Sequence, residues 1–122
     1  MPIARQTEYE TIYILRPSLT EEDRQKAKDR VEGILAEFGG TTLRFDDWGS
    51  RRLSYRIRDQ YENRYHDQGL YQYMRYLAPR QTVAEIERNL RIMEPVLKYM
   101  TVKIEAALIP EERMARTETE EE

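Results

Sequence analysis

Apolar and polar positions divide the chain into short periodic segments. From Tyr9 to Leu15 (YETIYIL) β-branched and aromatic residues crowd together, predicting a strand that Arg16-Pro17 ends. Beyond Thr20 the apolar residues Ala27, Val31, Ile34, Leu35 and Phe38 recur at helical spacing. Thr20 is the expected N-cap of that helix. Glu21, Glu22 and Asp23 fill its first turn, where the dipole favours anions, and Gly39-Gly40 stops it. Thr41 to Trp48 reads as a second strand, and Arg51 to Arg58 continues it in the same extended register. Gly49 between them marks either a turn or a bulge. The polar run DQYENRYHDQ (59–68) reads as a loop, and Gly69 to Leu77 as a third strand that ends before Pro79. Thr82 is the expected cap of a second helix, with Val83, Ile86 and Leu90 on one side and Glu94-Pro95 as its terminator. Val96 to Ile104 is the last strand, with Met100, Val102 and Ile104 on one face and Leu97, Tyr99, Thr101 and Lys103 on the other.

The order strand, helix, strand, strand, helix, strand predicts an α+β, ferredoxin-like (βαββαβ) sandwich. A four-stranded antiparallel sheet carries both helices on one face and leaves the other uncovered, free to meet solvent or partners. We expect that domain to occupy 1–109. The low-complexity residues 110–122 then form an acidic, disordered tail.

Composition changes this picture mainly by exclusion. With 122 residues the chain has room for one ordinary core, and no apolar run is long enough to span a bilayer. The opening MPIARQTEYE lacks the apolar stretch of a secretory signal, and there is no cysteine, so the expectation is a soluble intracellular domain. A single histidine, His66, argues against a histidine-based metal cluster and reads as an exposed loop residue. The net charge of −3 is unevenly placed. Of the 20 Lys and Arg and 23 Asp and Glu, two Arg and six Glu fall in 111–122, which leaves 18 basic against 17 acidic residues in the domain. A nucleic-acid role therefore has to rest on where the charge sits rather than on how much there is.

The charge concentrates in DWGSRRLSYRIR (47–58), where Arg51, Arg52, Arg56 and Arg58 are interleaved with Leu53, Tyr55 and Ile57. Strict alternation would put Arg51, Leu53, Tyr55 and Ile57 on one face and Arg52, Ser54, Arg56 and Arg58 on the other. Guanidinium forks match phosphate oxygens and stack on bases, and Tyr55, Tyr71 and Tyr73 lie close enough to add stacking surfaces. A solvated edge strand, charged to resist aggregation, fits the same pattern equally well. Five tyrosines between 61 and 76 (Tyr61, Tyr65, Tyr71, Tyr73, Tyr76) suit an interface, because tyrosine buries area while keeping a polar tip. No nucleotide-binding glycine loop, nucleophile elbow or metal-ligand spacing is present, and Arg16-Pro17 lacks the glycine-rich cradle of an acylphosphatase-like phosphate loop. Nothing in the chain points to an enzyme, a cofactor or a small-molecule substrate.

Four segments, EYETIYILRPSL (8–19), WGSRRLSYRI (48–57), the aromatic strand after Gly69 and LRIMEPVLKYMTVKI (90–104), together resemble the family of the sixth protein of the bacterial small ribosomal subunit. The resemblance implies a ferredoxin-like fold and a non-enzymatic role in the cytoplasmic ribosome. The implied partners are the central domain of the small-subunit ribosomal RNA and a small basic protein, the eighteenth of that subunit. It also implies RNA contacts by Arg51, Arg52, Arg58, Arg91, Lys98 and Lys103; to these the strand pattern adds Tyr55 and Arg56 as expected RNA contacts, and Tyr71, Tyr73 and Tyr99 are the expected partner contacts. The chain departs from the pattern in three places. Arg56 stands where the family usually has proline, the 59–68 loop is longer, and Thr7 and Glu8 replace arginines of some relatives. A stand-alone ferredoxin-like RNA-binding or regulatory domain is the alternative. GLYQYMRYL (69–77) does not fit the glycine-aromatic consensus of such domains.

Overall fold

The structure, a computed structural model, describes residues 5–120, with side chains through residue 116. Its elements are β1 (Gln6–Leu15), α1 (Glu21–Glu37), β2 (Thr41–Asp59), β3 (Arg64–Ala78), α2 (Thr82–Ile92), β4 (Val96–Leu108) and α3 (Pro110–Glu120). The strands form one antiparallel sheet in the order β2-β3-β1-β4, the ferredoxin-like arrangement expected from the element order.

Local chemistry accounts for the ends of the elements. Thr20 Oγ1 accepts the Asp23 amide at 3.1 Å at the start of α1. Gly39, at φ +81°, lets the chain leave that helix while its amide bonds to the Ala36 carbonyl at 3.0 Å. Thr82 does not cap α2 as expected. It is the first residue of the helix, and Gln81 before it is already in helical conformation with no side-chain cap. The turn closed by the Thr82 amide on the Pro79 carbonyl, at 3.1 Å, winds the chain directly into the helix.

Alternate residues of the central strands build the core. Tyr9, Thr11, Tyr13 and Leu15 of β1 stand opposite Tyr76, Met74, Gln72 and Leu70 of β3, and this face packs on Val31, Ile34 and Leu35 of α1 and Ile86 and Leu90 of α2. Buried hydroxyls are matched within it. Thr11 Oγ1 lies 2.9 Å from Tyr76 Oη and 2.8 Å from Thr101 Oγ1, and burial outweighs those bonds to push the Tyr76 hydroxyl up to about 12.

The open choice at Gly49 is resolved, and two expectations about extent need correction. Thr41 to Asp59 is a single strand, and Gly49, at φ +75°, marks a bulge in it. The segment 59–68 is mostly strand: β2 runs to Asp59, β3 begins at Arg64, and only four residues turn between them. Residues 110–120 are helical rather than disordered, while 121–122 lie outside the described residues. Pro110 opens α3, and Glu111 and Glu112 occupy its first turn. Arg113, which is buried, forms a two-pronged ion pair with Glu8, a residue on the sheet face away from α1 and α2. One end of the face expected to be open is therefore covered.

Candidate nucleic-acid interface

The outer strand β2 and its neighbour β3 run past the end of the sheet. Pairing between β1 and β3 stops at Leu15 opposite Leu70, whereas β2 and β3 continue through Arg51–Gly69, Arg52–Gln68, Ile57–His66, Arg58–Tyr65 and Asp59–Arg64. The result is a projecting hairpin, with Arg51, Arg52, Arg56 and Arg58 all exposed and Tyr55 83% exposed. Leu53 is the apolar anchor on its flank. It is buried beside Gly69, whose missing side chain makes room for Ile14.

The arginines do not form the simple row that strict alternation predicts. Between Arg52 and Ile57 four residues of β2 face one residue of β3, so Leu53 to Arg56 leave the ladder. Arg51 lies on the sheet face away from α1 and α2, its guanidinium 5.1 Å from the Trp48 ring centroid. Trp48 in turn stacks on Tyr73 with centroids 5.1 Å apart and planes 13° from parallel. Arg52, opposite Gln68, points to the other face. Arg56 sits 4.9 Å from the Tyr65 ring centroid, and Arg58 pairs directly across from Tyr65. Sequence reading assigned no role to Trp48 and gave Tyr65 only a general place among the interface tyrosines; an aromatic residue one or two positions from an arginine was the available signal.

The remaining candidates are scattered. Arg58, Tyr61, Arg91 and Tyr99 line a cleft of about 230 Å³ between the hairpin turn and the α2–β4 connection, with Arg91 Nε donating to Tyr99 Oη at 3.2 Å. Lys98 is exposed on the second sheet face, opposite Ile14. Lys103 pairs with Tyr9, six residues along β1 from Leu15, and so lies roughly 20 Å from the base of the hairpin. Tyr71 and Tyr73 share the second face, opposite Ile14 and Ile12. Tyr99, opposite Tyr13, turns to the helix-bearing face and packs on the core, apart from the other two.

The second face is aromatic and apolar, with Met100 and Val102 of β4 exposed at 55% and 43%. Its carboxylates are already engaged: Asp46 with Arg44, Glu10 with Arg75 and the Tyr73 hydroxyl, Glu8 with Arg75 and Arg113, and Glu105 with Arg116. Burial and the bond to Glu10 push the Tyr73 hydroxyl pKa up.

His66 is buried, not an exposed loop residue. It belongs to β3 and faces Asp59 and Glu62, which Arg16 Nε contacts at 2.9 and 3.1 Å. Burial acts to raise the Asp59 carboxyl. The Arg16 bond, the Glu62 and Tyr61 amides and the Arg16 charge outweigh it and hold Asp59 at about 2. Arg16 is thus committed to tying the hairpin to the end of β1.

A ferredoxin-like scaffold with an arginine-bearing hairpin and an aromatic sheet face defines a protein that binds other macromolecules. Comparison with known proteins makes this specific. Residues 8–103 match the family described as Ribosomal protein S6. The small ribosomal subunit protein bS6 of Trichlorobacter lovleyi is 43% identical over 96 residues, 79% of this chain and 74% of that protein. The bS6 of a Nostoc species is 40% identical over 111 residues, 91% and 97% of the two chains. The crystal structure of 30S ribosomal protein S6 from Thermotoga maritima superposes with a TM-score of 0.71 at 22% identity, covering 94% of this chain and 99% of that one. The chain belongs to the ribosomal protein S6 family. It is therefore a structural protein of the small ribosomal subunit, at work in the cytoplasmic ribosome, and not an enzyme. Among the described residues no helix is long and apolar enough to cross a membrane.

Proposed function

We propose that the projecting hairpin binds the central domain of the small-subunit ribosomal RNA, while the second sheet face seats a small basic ribosomal protein, the eighteenth of the subunit. The observation that carries this reading is the concentration of four exposed arginines on one hairpin of a near-neutral domain. Arg51, Arg52, Arg56 and Arg58 meet phosphates, with Tyr55 exposed among them for stacking. Arg91, through the shared cleft, and Lys98 extend this surface, and Lys103 reaches RNA only where it wraps to the far end of β4. Tyr71 and Tyr73, with Met100 and Val102, supply the apolar area a protein partner needs; Tyr99 supports that site from the opposite side. Because the acids of this face are engaged within the chain, apolar contact rather than free carboxylates draws the partner.

The test is incorporation of the Arg51→Glu/Arg52→Glu double variant into assembling small subunits. The expected outcome is loss of RNA association with an unchanged circular dichroism spectrum, since both side chains are exposed. Normal incorporation of the double variant would remove the phosphate-contact reading.

A further inference from the structure

We propose that Asp59, Glu62 and His66 form a binding site for Zn²⁺ or a first-row dication of like coordination, at the turn of the projecting hairpin. The three side chains offer ligand atoms that all lie within 4.8 Å of one another. His66 Nε2 is 3.4 Å from Asp59 Oδ2 and 3.3 Å from Glu62 Oε1. Those separations are long for a charge-assisted hydrogen bond, which closes to about 2.7–2.9 Å. They suit a shared metal better: ligand atoms about 2.1 Å from Zn²⁺ at tetrahedral angles stand about 3.4 Å apart.

Two further features point to a cation. His66 is 4% exposed, and its Nε2, within 3.4 Å of both carboxylates, makes no hydrogen bond. A buried nitrogen in that condition loses its hydration with no hydrogen bond in exchange, and a metal ion restores a bond to its lone pair. The surrounding charge is also unbalanced. Asp59, Glu62 and Glu94 all lie within 3.5 Å of Arg16, so three carboxylates share one guanidinium and a dication makes up the deficit.

The contacts around Asp59 suit a metal ligand. Asp59 Oδ1 accepts the Tyr61 and Glu62 amides at 2.9 and 3.2 Å, and Arg16 Nε holds Oδ2, so the carboxylate is oriented and ionised before an ion arrives. The Glu62 side chain is 34% exposed, which gives the ion an entry path and leaves a fourth position for water. One nitrogen and two carboxylates suit Zn²⁺ over Mg²⁺ or Ca²⁺, which prefer all-oxygen shells of six or more ligands. Bound there, the ion joins Asp59 at the end of β2 to His66 on β3 and stiffens the hairpin that carries the arginines.

The experiment titrates Zn²⁺ into the metal-free full chain, followed by calorimetry, native mass spectrometry and thermal unfolding. One Zn²⁺ per chain and a raised Tm are expected, with no shift from Mg²⁺ at the same concentration. Co²⁺ in place of Zn²⁺ should give the intense visible absorption of a four-coordinate ion. His66→Gln and Glu62→Gln should each weaken binding at least about tenfold. Glu62 is partly exposed, so its variant keeps the test decisive if the His66 variant fails to fold. Absence of stoichiometric uptake, or uptake that both variants retain, overturns the site. RNA is absent throughout, so the result is independent of the RNA-binding reading.

Discussion

Asp59 is the residue through which the projecting hairpin is tied to the rest of the molecule. Its carboxylate takes the Arg16 guanidinium on one oxygen and two turn amides on the other. Because its pKa falls from 3.8 to about 2 on folding, its contribution is fully present above about pH 4 and is lost as the pH drops through 2. The size is about 2 kcal/mol. Asp59→Asn should therefore flatten the acid limb of the stability curve between about pH 4 and 2, measured by urea unfolding at each pH; an unchanged limb would exclude this anchor. Thr20→Ala removes the oxygen that receives the Asp23 amide and should cost about 1 kcal/mol by the same measurement, independent of pH in that window. The Thr20 cap was legible from sequence because it depends on neighbours three residues away. The burial of His66 was not, because the residues that enclose it, Arg16 and Asp59, are remote in sequence or look like ordinary loop polarity.

At the scale of elements, α3 shows how a segment without an apolar stripe still acquires a fixed place. Its start signals, Pro110 followed by two glutamates, were visible, but its acidity and low complexity suggested disorder. Arg113 reaches back to Glu8, more than a hundred residues earlier, and local sequence cannot disclose such a bond. Among the described residues, Arg113→Ala leaves the buried carboxylate to Arg75, at 3.3 Å, and Arg116, at 3.9 Å, so the cost should be about 2–3 kcal/mol, below the usual range for a fully orphaned charge. Adding Glu8→Gln should recover part of that loss, and a double-mutant cycle by thermal unfolding measures the coupling. Additive effects would mean that α3 is not held by this pair. The β3 limb of the hairpin escaped notice for a related reason. Arg64 to Gln68 project beyond β1 and have little sheet face to bury, so the period-2 apolar signal that marked Gly69 to Leu77 is missing there.

Across the whole molecule, the arginine hairpin and the aromatic sheet face are adjacent but point in different directions. Arg52 lies on the side of β2 away from the Trp48–Tyr73 stack, and the bulge after it carries Tyr55 and Arg56 outward. If this geometry governs binding, RNA and the partner protein respond to different substitutions. Salt titration of the RNA complex separates them, because each phosphate contact contributes a counterion-release term to the slope of log affinity against log salt. Arg52→Ala should lower that slope by about one and leave partner affinity unchanged. Tyr73→Ala removes the ring on which Trp48 stacks, so partner affinity should fall by about 1–2 kcal/mol with the RNA slope unaltered. Arg51 is the informative third case. Its guanidinium rests on Trp48 at the border of the two surfaces, so Arg51→Ala should reduce both quantities, each by less than the dedicated variant does. Equal effects of all three substitutions on both measurements would show a single merged surface instead of two.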